Sequence, residues 1–313
     1  MRPFTGEFWV KGEPMTERTN DRKSLLMLTA SMLIFGTIGV FRHYIPLSSA
    51  LLAFFRGTLG SLFLVAFVTV RHKGSREKLP LRTLLALCGS GAMIGVNWML
   101  LFEAYNHTTV AVATLCYYMQ PVIVTLLSPL VFRERLTARK AACAAAAVAG
   151  MVLISGAADG GSLPPGHLHG VLLGLGAAVC YAAVVILNKR ITGVDPYRKT
   201  TVQMLSAGAV MIPYLLLTGS FRMEAPGLRT VLLLLTAGAV HTALAYVLYF
   251  GSMEKLKAQS VAMLSYIDPV TALLLSALLL GEPLGAAGIL GAVLIIGSAA
   301  VSELAPEGKK QKL

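Results

Sequence analysis

Charged residues are scarce in this chain. They make up 13% of its 313 residues, whereas a soluble globular domain carries about 25%. Apolar residues make up 56% and the mean hydropathy is +0.71, so the composition excludes an ordinary soluble domain and predicts an integral membrane protein. The net charge of +12 would suit nucleic acid, but the basic residues lie between apolar runs. Membrane topology explains that pattern better, and we expect no nucleic-acid partner.

Motifs for redox, metal and nucleotide chemistry are also missing. The four cysteines lie singly inside apolar runs, without the spacing of a disulfide framework or a metal site. The chain has no Gly-rich phosphate loop ending in Lys-Ser/Thr, no His-Glu-x-x-His and no Gly-x-Ser-x-Gly. We therefore expect no use of ATP, no cofactor, no metal and no enzymatic activity.

Long apolar runs fill most of the chain. A helix needs about 20 such residues to cross a membrane, and ten runs come near that length. They lie at 24–41, 47–70, 81–102, 109–131, 140–156, 169–188, 200–218, 228–250, 258–280 and 285–302. The predicted fold is all-α and integral to the membrane, with ten transmembrane helices.

One stretch of the sequence occurs twice. A shift of 148 positions carries Tyr118-Met119-Gln120-Pro121 onto Tyr266-Ile267-Asp268-Pro269, and the same shift carries Glu134 onto Glu282. Internal duplication of this kind predicts two structural repeats. Each repeat holds five runs, so the second repeat enters the membrane in the opposite direction to the first. Inverted repeats place a substrate site between the two halves.

The repeats set the predicted division of the chain. We expect an N-terminal tail at 1–23, a first five-helix repeat at 24–156, an external linker at 157–168, a second five-helix repeat at 169–302 and a basic tail at 303–313. Met15 opens a clean Met-Thr-Glu-Arg sequence, so either Met1 or Met15 could be the native start.

The basic residues predict the orientation. If the N-terminus is on the cytoplasmic side, every second segment between the runs also faces the cytoplasm, and we call these the inner segments. Of the 27 Lys and Arg residues, only Arg42, Arg56, Arg222 and Arg229 then lie outside the inner segments. The positive-inside rule therefore predicts that both termini are cytoplasmic. The basic C-terminal tail would then meet anionic lipid headgroups.

The sequence resembles the EamA-type transporters of the drug/metabolite transporter superfamily over about residues 24–302. The matching pieces are Phe54-Phe55-Arg56-Gly57, Pro121 through Arg133-Glu134-Arg135-Leu136-Thr137, Cys180-Tyr181-Ala182, and Pro269 through Gly281-Glu282-Pro283-Leu284. This chain departs from the family with Phe35 and Tyr181, where Trp is common, and with Asp268, where the usual residue is less polar.

The resemblance implies a secondary transporter in the plasma membrane, which in a bacterium is the cytoplasmic membrane. It implies export of a small metabolite, such as an amino acid or a related amphipathic solute, by alternating access. The resemblance does not decide whether protons are the coupling ion or whether the chain forms a homodimer. The two alternatives are a membrane-embedded enzyme and a non-transporting scaffold or sensor.

Arg56 is a basic residue that lies deep inside an apolar run. It lies about 13 Å along the run that begins at Leu47, at about 1.5 Å per residue, which places it near mid-depth. A charge at that depth normally faces a cavity or a partner. Arg56 could bind an anionic group of the substrate, or it could bind backbone carbonyls or an acidic residue. The resemblance favours the structural or gating role.

Gln120 and Asp268 correspond in the two repeats, and each precedes a proline that disturbs its helix. We expect both side chains to face a central cavity, with Pro121 and Pro269 as helix breaks. Burial disfavours the charged form of a carboxyl group, which would suit Asp268 as a proton carrier. The alternatives are a static ion pair with Arg56 and a helix N-cap.

The remaining candidates lie inside or at the ends of the runs. We expect Asn97, Trp98, Tyr118, Tyr181, His241 and Tyr266 to contact the substrate. Trp98 could instead anchor the membrane interface, and a lone His is more often hydrogen-bonded in a core. Tyr117, Tyr118, Tyr181, Tyr246 and Tyr266 would either form an aromatic cavity or pack the helices. Glu134 and Glu282 are predicted to cap helices or form salt bridges, with gating as the sharper alternative.

Overall fold

A computed structural model describes residues 15–71, 79–132, 136–154, 164–221, 226–253, 256, 261, 264–282 and 284–303. Every regular element among these residues is helical. The first half contains α1 Met15–Gly36, α2 Ile38–His43, α3 Ser49–Arg71, α4 Leu81–His107, α5 Val110–Tyr117, α6 Gln120–Phe132 and α7 Ala138–Ile154. The second half contains α8 His167–Arg190, α9 Pro196–Leu217, α10 Leu228–Gly238, a π-helix Ala239–Leu244, α11 Ala245–Met253, α12 Ile267–Leu279 and α13 Ala286–Glu303.

Within the described residues, seven helical stretches are long and apolar enough to cross a membrane. They are Arg22–His43, Ser49–Val70, Leu81–His107, Val110–Val131, His167–Asn188, Pro196–Leu217 and Leu228–Ser252. The helix α12 and the Ala286–Val301 part of α13 are shorter apolar helices, and α7 occupies the fifth predicted run. The chain is therefore an all-helical, multi-pass membrane protein.

Both copies of the duplicated stretch interrupt a helix. In the first copy α5 ends at Tyr117 and α6 begins at Gln120, with Pro121 in its first turn. In the second copy a turn at Tyr266 precedes α12, which carries Pro269 in its first turn. Proline has no N–H to donate to the preceding turn, so the helix breaks on the N-terminal side of each proline.

Helices of the first half pack on helices of the second half. The helix α4 packs on α8, and α11 packs on α1; likewise α6 packs on α8, and α12 packs on α1. Exchanging the two repeats converts the first contact of each pair into the second. The contacts of α3 with α9 and of α7 with α13 map onto themselves. This is the contact pattern of two equivalent repeats that meet along a central interface.

The contact of α7 with α13 brings two backbones together. A Cβ atom on Gly150 would lie 2.7 Å from the carbonyl oxygen of Gly291, and a Cβ on Gly291 would lie 2.6 Å from the carbonyl oxygen of Gly150. Small residues permit such close approach between helices in lipid. Any larger side chain at either position would separate the two helices.

A core of fully buried side chains holds α3 against its neighbours. Leu52 and Leu64 of α3 pack in one cluster with Phe102 of α4 and with Met204 and Met211 of α9. Interiors packed in this way resist displacement of one element against another. The core therefore fixes the position of α3, and with it the position of Arg56.

Candidate functional site

A cavity of about 510 Å³ lies between the two halves of the bundle. Tyr118, Gln120 and Pro121 of the first copy line it, together with Tyr266 and Asp268 of the second copy. Pockets for small molecules span about 300–1,000 Å³. The duplicated stretches thus supply two walls of a cavity that has the volume of a small-molecule site.

Aromatic side chains from both halves line this cavity. They are Phe35, Trp98, Tyr105, Tyr117, Tyr118, Tyr181, Tyr246, Tyr249 and Tyr266. Some of these rings contact each other across the interface between the halves. The ring centroids of Phe35 and Tyr246 are 5.3 Å apart, and those of Tyr117 and Tyr181 are 5.6 Å apart. These are favourable aromatic distances, and the walls present both apolar faces and hydroxyl groups to a ligand.

Asp268 contacts the opposite half of the molecule through one hydrogen bond. The hydroxyl of Tyr118 donates to Oδ2 of Asp268 over 2.7 Å. Among the described residues Oδ1 has no hydrogen-bond donor, and no ion pair joins Asp268 to Arg56 within 4.0 Å. The static Arg56 pair considered from the sequence is absent from this part of the chain, so the carboxyl group keeps capacity for a ligand.

Arg56 is 5% exposed and is oriented by the second half of the molecule. Its Nε donates to Oγ1 of Thr242 over 3.1 Å, and its Nη2 donates to the carbonyl oxygen of His241 over 3.3 Å. The guanidinium carbon lies 4.2 Å from the ring centroid of Trp98, within the range of a cation–π contact. Nη1 has no protein acceptor among the described residues. Arg56 lines the cavity, so this nitrogen is available to an anionic group.

The π-helix supplies both acceptors of Arg56. Thr242 donates its own hydroxyl hydrogen to the carbonyl oxygen of Ala237 over 3.0 Å, which leaves its oxygen free to accept from Nε. Single π-helical turns occur often at functional sites. In this chain the turn brings a hydroxyl and a carbonyl to one guanidinium.

His241 and Asn97 do not line the cavity, although both were predicted to contact the substrate. Nε2 of His241 lies 2.9 Å from Oγ1 of Thr37, at the break between α1 and α2. Nδ2 of Asn97 donates to the carbonyl oxygen of Ala177 over 2.6 Å, which ties α4 to α8. Both side chains are buried. The structure gives them contacts between helices, in a layer behind the cavity wall.

Glu282 joins the two halves near the end of the bundle that contains Arg42. Its Oε2 accepts from the backbone N–H of Val110 over 2.9 Å and from the hydroxyl of Ser276 over 2.6 Å. Its carboxylate therefore caps α5, a helix of the opposite half, while its backbone N–H donates to the carbonyl oxygen of Ser276 near the end of α12 over 3.3 Å. Glu134, its counterpart in the repeat, lies outside the described residues. Pro269 is buried and does not line the cavity, whereas Pro121 does.

Further polar contacts surround Glu282 at this end of the bundle, which we call the Arg42 end. Arg42 donates to the Ile45 carbonyl over 2.8 Å and to Oδ1 of Asn106 over 3.3 Å. Glu103 accepts from Ser49 over 2.7 Å and from Asn106 over 3.0 Å. At the opposite end, which we call the Lys140 end, the cavity lining continues to Ser128 and Lys140. The lining therefore contains residues toward both ends, with Tyr105 and Thr114 on the Arg42 side and Ser128 and Lys140 on the other.

The sequence model of the EamA-like transporter family matches residues 22–156 and 168–303. This chain belongs to the EamA-like transporter family. The EamA match falls once on each half of the molecule, in agreement with the duplicated stretch and with the packing of the helices.

Individual relatives of this EamA-like chain cover nearly all of it. The "Uncharacterized transporter YxxF" of Bacillus subtilis (strain 168) is 28% identical over 297 residues, which are 95% of this chain and 94% of that protein. The "Probable amino-acid metabolite efflux pump" of Salmonella typhimurium (strain LT2) is 31% identical over 287 residues, with 87% and 91% covered. A solved structure described as "Crystal structure of protein" has the same fold, with a TM-score of 0.62 at 22% identity, and 90% of this chain and 98% of that chain are covered. The chain is therefore a membrane transporter.

Several lining residues of this EamA-like transporter were not predicted from the sequence. Thr125, Ser128, Lys140 and Tyr249 all line the cavity. The spacing of Gln120 and Ser128 places them on one helix face, and that signal could have identified Ser128. Nothing in the sequence marks Lys140 apart from the other basic residues near the ends of the runs.

Proposed function

We propose that this chain exports a small zwitterionic metabolite, an amino acid or a close relative, through the cavity between its repeats. One observation carries the proposal: Arg56 and Asp268 line the same aromatic cavity, and no ion pair joins them in the described structure. A zwitterion would present its carboxylate to Nη1 of Arg56 and its ammonium group to the Asp268 carboxyl. The relative named as a probable amino-acid metabolite efflux pump supports this substrate class.

The aromatic walls would select among zwitterions. Rings such as Tyr117, Tyr181 and Tyr246 offer apolar faces to the side chain of the substrate, whereas a small hydrophilic amino acid would leave these faces without a partner. We therefore expect a preference for amino acids with apolar or aromatic side chains. Burial of such a side chain stabilises the complex by about 1.5–3 kcal/mol.

We propose ten crossings in two inverted five-helix repeats, at 24–156 and 169–302, in a plasma membrane with both termini cytoplasmic. The conservation of helix contacts on exchange of the repeats supports this arrangement, as do the basic residues of the inner segments. In this orientation the Arg42 end is external and the Lys140 end is cytoplasmic. Membrane lipids and the substrate are the expected partners, in a monomer or a homodimer.

The same orientation assigns a conformation to the described structure. Polar contacts of Glu282 and Glu103 join helices at the Arg42 end, and the lining reaches Lys140 at the cytoplasmic end. We propose that this is the inward-facing state of an alternating-access cycle. Breaking the contact of Glu282 with Val110 would be one step in opening the outer side.

Asp268 would also couple export to protons. A carboxyl group that binds either an ammonium group or a proton cannot hold both charges at once. Protonation from outside would displace the substrate, and substrate binding from inside would displace the proton. This competition would give proton antiport, and Tyr118 would favour the charged form of the carboxyl group through its hydrogen bond.

Counterflow in proteoliposomes tests the proposed function. Vesicles that contain the purified chain would be loaded with one unlabelled amino acid and supplied with a labelled amino acid outside, across a panel of the common amino acids. We expect accumulation of a subset rich in apolar and aromatic side chains, enhanced by an opposing proton gradient. No accumulation of any member, by protein whose fold is verified, would contradict amino-acid transport. No observation on the described residues favours the enzyme or the scaffold alternative.

A further inference from the structure

The Lys140 end of the cavity contains a basic residue that the proposed function does not use. Lys140 lies in the first turn of α7, where the hydroxyl of Thr137 accepts its backbone N–H over 3.3 Å. Its side chain is partly buried and lines the cavity. It has no carboxylate within ion-pair distance in the described chain. Its ammonium group is therefore available to an anion that enters from this end.

The position of Lys140 is not explained by helix stability. The N-terminus of a helix carries a partial positive charge, which disfavours a cation in the first turn. The neighbouring Arg139 lies in the same first turn of α7, but its side chain is exposed and donates to the carbonyl oxygen of Val301 over 3.3 Å. Membrane topology accounts for a basic residue such as Arg139. It does not require that Lys140 line the cavity.

Polar groups of α6 connect Lys140 with the middle of the cavity. Gln120, Thr125 and Ser128 line the same cavity as Lys140, and the spacing of Gln120 and Ser128 places both on one helix face. The amide of Gln120 and the hydroxyl of Thr125 have no side-chain hydrogen-bond partner among the described residues. These groups can donate hydrogen bonds to a carboxylate that moves along the wall.

We propose that Lys140, together with Thr125 and Gln120, forms a docking subsite for the carboxylate of the substrate at the Lys140 end. This inference rests on the proposed function. A cation at the mouth of a cavity raises the local concentration of anionic groups and the rate of association, and salt weakens this effect. The carboxylate would contact Lys140 first, pass the polar groups of α6 and then reach Arg56.

The test uses inside-out membrane vesicles, in which the Lys140 end faces the added substrate. Initial uptake rates would be measured against the concentration of an amino acid transported by the unaltered protein, at low and high ionic strength. We expect Lys140→Gln to raise the half-saturating concentration about fivefold to tenfold, with little change in the maximal rate and with loss of the salt dependence. Lys140→Arg should restore both, and uptake of the corresponding carboxamide should not respond to Lys140→Gln.

Arg139→Gln is the matched control, since it removes a neighbouring charge that does not line the cavity. An unchanged half-saturating concentration in Lys140→Gln, with normal transport by the unaltered protein, would overturn the subsite and leave the proposed function standing. An equal effect of Arg139→Gln on the half-saturating concentration would also overturn the subsite. The same holds if the effect of Lys140→Gln appears in reconstituted vesicles that contain anionic phosphatidylglycerol but not in vesicles of pure phosphatidylcholine. Either result would assign Lys140 to lipid headgroups. If the unaltered protein transports no amino acid, both proposals fail.

Discussion

The hydroxyl of Tyr118 donates a 2.7 Å hydrogen bond to Oδ2 of Asp268. These residues belong to the two copies of one duplicated stretch, and they meet across the interface between the halves. Tyr118 precedes Pro121 on one side of the cavity, and Asp268 precedes Pro269 on the other. In the proposed alternating-access cycle, relative movement of the two halves would act on this bond and so connect the state of the carboxyl group to the conformation of the transporter.

Replacement of Asp268 should separate substrate movement from protons. Asp268→Asn keeps the shape of the side chain and an oxygen that can accept from Tyr118, but it removes the titratable group. We expect transport by this variant to be independent of pH, while the thermal unfolding temperature stays close to that of the unaltered protein. Counterflow at a series of pH values measures the effect. A pH dependence that survives in Asp268→Asn would remove Asp268 as the proton carrier.

Tyr118→Phe tests the hydrogen bond alone. The hydroxyl of Tyr118 stabilises the carboxylate more than the carboxylic acid, so its loss favours the protonated form and moves the midpoint of the pH profile to higher pH. A hydrogen bond to a charged group contributes about 1.5–3 kcal/mol, which corresponds to roughly one to two pH units. The measurement is the midpoint of transport activity against pH. A midpoint that stays in place or moves to lower pH would contradict the role of this bond.

Thr242→Val should disturb Arg56 without changing the charge of the cavity. The substitution removes the acceptor of Nε at 3.1 Å, and loss of one such bond costs about 1–3 kcal/mol. We expect a half-saturating concentration at least fivefold higher for a carboxylate substrate. Thr236→Val is the matched control, because Thr236 does not line the cavity and its hydroxyl donates to the carbonyl oxygen of Leu232. Equal effects of the two substitutions would show that orientation of Arg56 is not the cause.

Loss of Glu282 should release the closure at the Arg42 end. Glu282→Ala leaves the N–H of Val110 without its acceptor, at a cost of about 1–3 kcal/mol. The reporter is a cysteine that replaces Thr114, a lining residue, in a chain free of other cysteines. We expect a membrane-impermeant maleimide added from outside to label this cysteine faster in Glu282→Ala. Glu282→Gln retains an acceptor oxygen and should change the rate less; equal labelling in all three proteins would contradict the closure.

Gly150→Ala should destabilise the contact between α7 and α13. Its Cβ would lie 2.7 Å from the carbonyl oxygen of Gly291, so the helices must separate, and overpacking of this kind costs about 1–3 kcal/mol. Gly89→Ala in α4 is the control, because no atom lies within 4 Å of the added Cβ. Thermal unfolding in detergent should show a lower midpoint for Gly150→Ala and an unchanged or higher midpoint for Gly89→Ala. An unfolding midpoint that is lower for Gly89→Ala but not for Gly150→Ala would contradict this assignment of the contact.

The sequence predicted the parts of the fold that depend on hydropathy and repetition. Each of the ten apolar runs contains a described helix, and the duplicated stretch identified the two repeats that the family match confirms. It also placed Tyr118, Gln120 and Asp268 together, because the breaks before Pro121 and Pro269 follow from the chemistry of proline.

The other site features depend on contacts that no local pattern encodes. Arg56 is oriented by a π-helix around His241, and a π-helical turn leaves no hydrophobic periodicity that distinguishes it from an α-helix. Glu282 caps α5, which lies far away in the sequence. Asn97 has the polarity and depth of a cavity residue, but its side chain donates to the backbone of α8. Polarity at mid-depth predicts that a side chain has a partner and does not say whether that partner is a ligand or another helix.

The most direct test of the central claim compares three related substrates in three proteins. Counterflow would be measured for a transported amino acid, its carboxamide and its deaminated acid, with the unaltered protein, Arg56→Gln and Asp268→Asn. We predict that Arg56→Gln lowers transport of the amino acid and the deaminated acid at least tenfold but barely affects the carboxamide. Asp268→Asn should instead impair the two substrates that carry an ammonium group and spare the deaminated acid. An equal loss for all three substrates in both variants would contradict direct contact of Arg56 and Asp268 with the substrate.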